Sequence, residues 1–288
     1  MGYIAKKIYK NEIDERTLIL LSIYFLQPML TFWGLTRSPI DFNLIYAPFL
    51  YFITISIVLV LLFFISKILF KDDKEQSIFI AASLIGNTGN LGIPLGIALF
   101  GESSIPYTSI INIANIIFIY TVGIYFYAKS SYSFKDSLLQ MIKIPIIWFA
   151  IFALTYNYFG FTLNSQIELI LQMGAYATIV LQLIIFGIYL AKAPIKSHNY
   201  KLSLSVSFSK LILVPLVGLI VILNSSLPND IASILMVSLF VPLAVNNVNI
   251  AALYKCKPYE VTAIILVSTV LFLIMIYGDL ELVKYFFG

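Results

Sequence analysis

An all-α membrane protein, built as inverted five-helix repeats around two crossed broken helices, is the fold class that three observations predict for this chain. The first is composition. Of 288 residues, 60% are hydrophobic and only 11% charged, with a mean hydropathy of +0.97; a soluble domain carries about a quarter charged residues. The second is the number of stretches near twenty apolar residues, the length that crosses a bilayer core. Nine are present, at 17–36, 43–70, 77–100, 105–128, 137–158, 166–190, 202–223, 230–254 and 259–277, with short connections between them. The third is a pair of interruptions. Gly86-Asn87-Thr88-Gly89-Asn90-Leu91-Gly92-Ile93-Pro94 breaks the third stretch, and Pro242-Leu243-Ala244-Val245-Asn246-Asn247-Val248-Asn249 breaks the eighth. An unpaired amide in hydrocarbon costs several kcal/mol, so such breaks survive only where protein or a water-filled cavity covers them. Two breaks in corresponding places of two halves point to the midplane binding site of a transporter.

Taken in order, the spans are oriented by their flanking lysines. Lys6, Lys7, Lys10 and Arg16 precede the first; Lys67, Lys71 and Lys74 follow the second; Lys129 and Lys135 follow the fourth. Lys192, Lys196 and Lys201 follow the sixth, and Lys255 and Lys257 the eighth. The loops between hold almost no basic residues apart from Arg37, and the tail holds Lys284. This alternation follows the positive-inside rule at every crossing. It places residues 1–16 in the cytoplasm and the carboxyl end outside; the membrane is expected to be a cell inner (cytoplasmic) one. The net charge of +4 is thereby explained by topology, and no nucleic-acid partner is read from it.

The two broken spans run in opposite directions about 150 residues apart. That shift lays 166–190 over 17–36, 202–223 over the later part of 43–70, and 259–277 over 105–128, the pattern of an inverted repeat. Residues 1–136 then form the first repeat and 137–288 the second. Span 137–158 has no partner in the first half, which shows four crossings where an inverted repeat needs an odd number. Nine spans are present and ten are expected. Met1-Gly2-Tyr3-Ile4-Ala5-Lys6-Lys7 reads as the cytoplasmic end of a helix whose body is absent, through a misassigned start or a true truncation; a natural nine-span protein is the alternative. The segment has no apolar core of its own and is no signal peptide. Lys6 stands where a myristoylation motif starting at Gly2 needs Ser or Thr.

Several chemistries lack their parts. One cysteine, Cys256, makes no disulfide framework and no Cys-based zinc site. His198, the single histidine, sits in a loop with no metal partners and no nucleophile setting. A P-loop is absent, so the chain does not itself power transport with ATP. No Asp or Glu lies deep within a span, with Glu168 and Glu260 near span ends, so a carboxylate proton relay lacks parts. Nothing calls for a cofactor or a metal, although sodium can bind carbonyls of unwound segments.

With these residues in hand, the chain resembles the auxin efflux carrier family, including its prokaryotic permeases. Asn87 through Leu95, followed by Ala98-Leu99-Phe100-Gly101-Glu102, is similar to the family's signature around its first broken helix. Lys143 to Ile147, Lys210 to Pro215, Pro242 to Ala244 and Ala251 to Tyr254 resemble later family segments in order, so the likeness covers nearly the whole chain. The family has ten spans in two inverted five-helix repeats; this chain departs by lacking the first. The resemblance implies a carrier of small organic anions in the lipid bilayer, working by elevator-type movement, often within a homodimer.

Physical reasoning then selects the site. Half-helices that begin at midplane present N–H groups and a positive dipole end, which suit a carboxylate. Breaks at Pro94 and Pro242 make such ends, with Asn87, Asn90, Asn246, Asn247 and Asn249 offering amide donors beside them. The bland alternative is that these asparagines satisfy broken backbone or pack helices. Asn115, one turn from Asn112, is a second candidate, or else an interhelical hydrogen bond. Gln27, Gln172 and Gln182 can line the scaffold side. Lys210, well inside a span, is either a counter-ion to the anion or a snorkelling lysine. The rival readings are a sodium-coupled organic acid symporter of a related fold, an intramembrane enzyme, which would need acids or metal ligands at depth, and a non-transporting truncated paralogue.

Overall fold

A computed structural model describes the chain except residues 38–39, 129–138, 140–141, 144 and 193–198, and except some further side chains, that of Asn249 among them. His198 and the expected repeat boundary at 136–137 therefore lie outside the described residues. Among those described, all regular structure is helical. Six helices are long and apolar enough to cross a bilayer, and three apolar helices are shorter.

Helix α1 spans Gly2–Tyr9. It lies against the later helix Ser165–Lys192 through Gly2 and Gly187; a Cβ on Gly187 would stand 2.8 Å from the Tyr3 backbone nitrogen. Asp14 caps the next span by accepting from Arg16 N at 3.1 Å. That span joins α2 (Glu15–Leu21) to α3 (Gln27–Thr36) through a π turn at Ser22–Leu26. Helix α4 runs Phe42–Leu69, capped by Asp41, and its 28 residues reach about 42 Å at 1.5 Å per residue. The first broken span consists of α5 (Asp73–Leu84), a π turn at Thr88–Gly92, and α6 (Ile93–Phe100). Next come α7 (Ile105–Phe118), a third π turn, and α8 (Ile124–Tyr127).

The second half begins with α9 (Pro145–Tyr158) and α10 (Ser165–Lys192). Asn199 caps α11 (Tyr200–Phe208), which passes through a π turn at Ser209–Leu213 into α12 (Val214–Leu223). The second broken span is α13 (Asn229–Phe240) and α14 (Asn246–Leu253), and α15 (Pro258–Phe287) closes the chain. Three π turns lead into a helix with proline in its first positions: Pro28, Pro94 and Pro215. Proline has no N–H and its ring crowds the carbonyl four residues back, so the turn before it widens.

The apolar core falls into two groups. The larger joins α4, α5, α7, α8 and α11 to α15 through residues such as Ile55, Phe79, Leu84, Leu235 and Ile264. In the smaller clusters α3, α9 and α10 meet one another and the flank of α6 and α7, through Trp33, Ala150, Ala175, Ile93 and Ile113. The last helix runs ten residues past the expected end at 277, because Asp279 is tolerated within it: the side chain is buried against α15's own neighbours rather than ending the span. An acid thus enters a span where the sequence shows only a tail.

From the connection between α14 and α15, Lys257 reaches the start of α5 and bridges Asp72 at 2.6 Å and Glu75 at 2.9 Å. The hydrogen bond from Lys257 holds the Asp72 carboxyl below its usual pKa, helped by the Lys74 amide. Burial lowers the Lys257 pKa, but the bonds to Asp72 and Glu75 outweigh it and the net shift is upward. A carboxylate whose folded pKa is depressed stabilises fully above its unfolded value and loses this as pH falls through the folded one. Lys257→Met is therefore expected to unfold a degree or two below the wild type at neutral pH, the size of an exposed pair. The two unfolding temperatures should converge in acid, below the carboxylate range. A gap that persists there would mean that packing, not charge, is what the lysine supplies.

Candidate functional site

The two breaks cross and pair. Gly86 and Leu243 form an isolated antiparallel bridge. Asn87 N donates to Pro242 O at 2.8 Å, and Ala244 N donates to Ile85 O at 3.0 Å. Each interrupted helix thereby supplies the partners the other lacks, which is how unwound backbone is kept satisfied at membrane depth.

Side chains complete the joint from both flanks. Asn115, on α7, donates from Nδ2 to Gly86 O at 2.7 Å and to Thr88 Oγ1 at 2.9 Å. Its Oδ1 accepts from Tyr51 OH at 3.0 Å. The Thr88 hydroxyl passes its own proton on to Asn112 Oδ1 at 2.9 Å. On the other flank Asn247 Nδ2 donates to Ala244 O at 2.9 Å and Ile85 O at 3.3 Å, and its Oδ1 accepts from Tyr127 OH at 3.0 Å. All these side chains are buried, where a half-satisfied network would be costly. Asn115 and Asn247 thus each clamp one carbonyl of the unwound Ile85-Gly86 pair, and each is oriented by a tyrosine.

Beside the joint lies a cleft of about 30 Å³ lined by Gln27, Gly86, Asn87, Gly89, Asn90, Asn112, Asn115, Ala244 and Asn246, with apolar Ile116 and Ile119. A second cleft of about 20 Å³ shares Gln27, Asn90 and Asn246 and adds Ser22. Gly89 and Asn90 belong to the turn that leads into α6, and Asn246 opens α14, so the amino ends of both half-helices reach the cleft. Asn87 is 2% exposed, and its Nδ2 has no hydrogen-bond partner. A buried amide donor left unmade costs about 1–3 kcal/mol, so a residue that lines the cleft carries a donor in want of an acceptor. Asn90 and Asn246 are partly exposed and take no part in the joint.

Of the residues singled out in sequence, the structure brings together Asn87, Asn90, Asn115 and Asn246, with Gln27, read there as scaffold-lining, on the facing side. Pro242 contributes its carbonyl to the joint, Pro94 starts α6, and Asn247 holds the crossing. The Asn249 side chain lies outside the described residues. Lys210 is buried at the crossing but does not line either cleft. Gln182 is buried in α10 away from both, and Gln172 sits at 3.5 Å from Tyr176 OH. Sequence reasoning missed Tyr51, Thr88 and Tyr127. The signal for Tyr51 was a hydroxyl inside a long apolar span, hidden among 19 tyrosines that membrane interfaces also explain.

A family model described as membrane transport protein matches residues 1–137 and 132–278. Among curated proteins the chain is similar to an uncharacterized transporter of Methanocaldococcus jannaschii, 26% identical over 206 residues, covering 68% of this chain and 67% of that one.

Proposed function

The chain belongs to the auxin efflux carrier family of membrane transport proteins, and from that premise we propose that it is a secondary carrier of small organic anions. It is a multi-pass membrane transporter rather than an enzyme. The observation that carries the anion reading is the Asn87 amide, buried and unpartnered in a cleft where both half-helix amino ends converge. Amide donors and positive dipole ends recognise a carboxylate without burying a protein charge.

The position of the cleft supports an alternating-access reading. Gln27, Ile19, Ile23 and Ile185 on one side belong to the first span and α10; of the asparagines on the other, Asn87, Asn90 and Asn246 belong to the crossed pair and Asn112 and Asn115 to α7. At about 30 Å³ the cleft holds roughly one water, so a substrate enters as the two groups of helices move apart. In this reading α3, α9 and α10 form the scaffold and the larger core moves past it as an elevator, in two inverted repeats divided at 136–137. The lysine-rich loops face the cytoplasm of a prokaryotic inner membrane, and the carrier works as a homodimer.

Counterflow of labelled dicarboxylates, monocarboxylates and indole-acetate in proteoliposomes tests this. Hydrogen bonds to a charged group are worth about 1.5–3 kcal/mol each, so the Asn90→Ala, Asn246→Ala double variant is expected to lose about 100-fold or more in apparent affinity. Its unfolding temperature should stay at the wild-type value, since neither side chain holds the crossing. Wild-type counterflow of none of these anions would sink the carrier reading, and full activity in the double variant would move the site elsewhere.

A further inference from the structure

Lys210 is 1% exposed, in the π turn Ser209–Leu213 that faces the crossing. Its Nζ donates to Leu239 O at 3.0 Å. Leu239 lies in the last turn of α13, which ends at Phe240, so its carbonyl is among the four that find no partner within a helix. On the other side, a Cβ built on Gly86 would stand 2.9 Å from Nζ. Gly86 comes two residues after the end of α5 at Leu84. The ammonium therefore lies where the carboxyl ends of two half-helices meet, each bringing roughly half a negative charge. Among the described residues, no carboxylate forms an ion pair with it.

The crossing has two electrostatic faces. The amino ends of α6 and α14, with the asparagine cleft, form a positive one; the carboxyl ends of α5 and α13 form a negative one. Carriers with broken helices place their coupling cations at unwound carbonyls and half-helix carboxyl ends. Here a side chain reaches that place from α11–α12. We infer that Lys210 is a tethered substitute for a coupling cation, and that its removal opens a site for a free monovalent cation such as sodium or ammonium. Wild-type transport accordingly runs without sodium. The transport half of this inference rests on the carrier reading; the cation site does not.

Thermal unfolding of the purified full chain in sodium, ammonium or choline chloride at equal ionic strength tests the site. Wild-type protein should unfold at one temperature in all three. Lys210→Ala, which vacates the space, should fall by more than about 4 °C in choline and recover at least half of that, saturably, in sodium or ammonium. Lys210→Met, which keeps the space filled, should fall and not recover. Three results would each overturn the inference: a wild type stabilised by sodium, a Lys210→Ala protein as stable as wild type in choline, or one that no cation restores, including failure to fold in all of them. In proteoliposomes, wild-type counterflow should change less than twofold when choline replaces sodium, and a severalfold dependence would also overturn it. If wild-type protein moves no anion at all, the carrier reading fails, and the unfolding series alone decides the role of Lys210.

Discussion

Asn115→Leu is expected to cost about 3 kcal/mol of stability and to abolish counterflow. Leucine fills a similar space but neither donates to Gly86 O nor accepts from Tyr51 OH, the two groups that Asn115 holds at 2.7 and 3.0 Å. Both stay buried, and a buried polar group stripped of its partner costs about 1–3 kcal/mol. Thr88 suffers less, since its hydroxyl still donates to Asn112. The Gly86 carbonyl belongs to the bridge between the two breaks, so the loss falls on the geometry of the cleft as well as on stability. Thermal unfolding in detergent measures the first and counterflow the second. Tyr51→Phe, added to Asn115→Leu, removes one of the orphans and should restore about 1 kcal/mol, a coupling that a double-mutant cycle reads directly. A shift of less than a degree for Asn115→Leu would show that water fills the gap and that the clamp is dispensable.

Gly86→Val is the second large effect, for a steric reason. A Cβ at this position meets the Lys210 Nζ at 2.9 Å, its Cε at 3.2 Å and Val241 Cγ2 at 3.3 Å. The lysine tip is flexible but has nowhere to go without giving up its bond to Leu239 O, and valine adds two methyls beyond the Cβ. Overpacking costs about 1–3 kcal/mol, with the lost hydrogen bond of a buried charge on top. The crossing should open, and transport should fall below detection. Gly86→Ala adds the Cβ alone and should be milder. Paired with Lys210→Ala it should be less harmful than the sum of the single changes, because the atoms it strikes are gone. Strict additivity would mean that glycine is needed here for its backbone freedom and not for the close approach.

Much of the fold is legible in the chain itself. Lipid leaves few solutions for the backbone, so a run of twenty apolar residues reads as a span, and the helices at Phe42–Leu69 and Tyr200–Leu223 lie where hydropathy puts them. Gly86 to Pro94 and Pro242 to Asn249 stand out because amides and prolines are expensive at that depth. The broken segment of the second span is shorter than its polar stretch, however, since α14 already begins at Asn246; asparagine is tolerated in a first turn and does not by itself unwind a helix. Asp279 was illegible for the converse reason: a charge near the end of an apolar run reads as the end of the span, yet the helix continues to Phe287.

Sequence by itself determined the class, the two places where helices break, and five of the residues that line one cleft, Gln27, Asn87, Asn90, Asn115 and Asn246. Each of these follows from local cost, the free energy of placing a residue type in hydrocarbon. Only the tertiary structure decided which donor answers which carbonyl: Asn87 N with Pro242 O, Asn115 with Gly86, Asn247 with Ile85, and Lys210 with the carboxyl end of α13. Asn87, Asn90 and Asn115 are the same residue type in the same apolar setting. What separates a free donor in the cleft from a clamp on the backbone is the partner that another helix brings within 3 Å, and such pairings of distant residues are set by the packing of the whole.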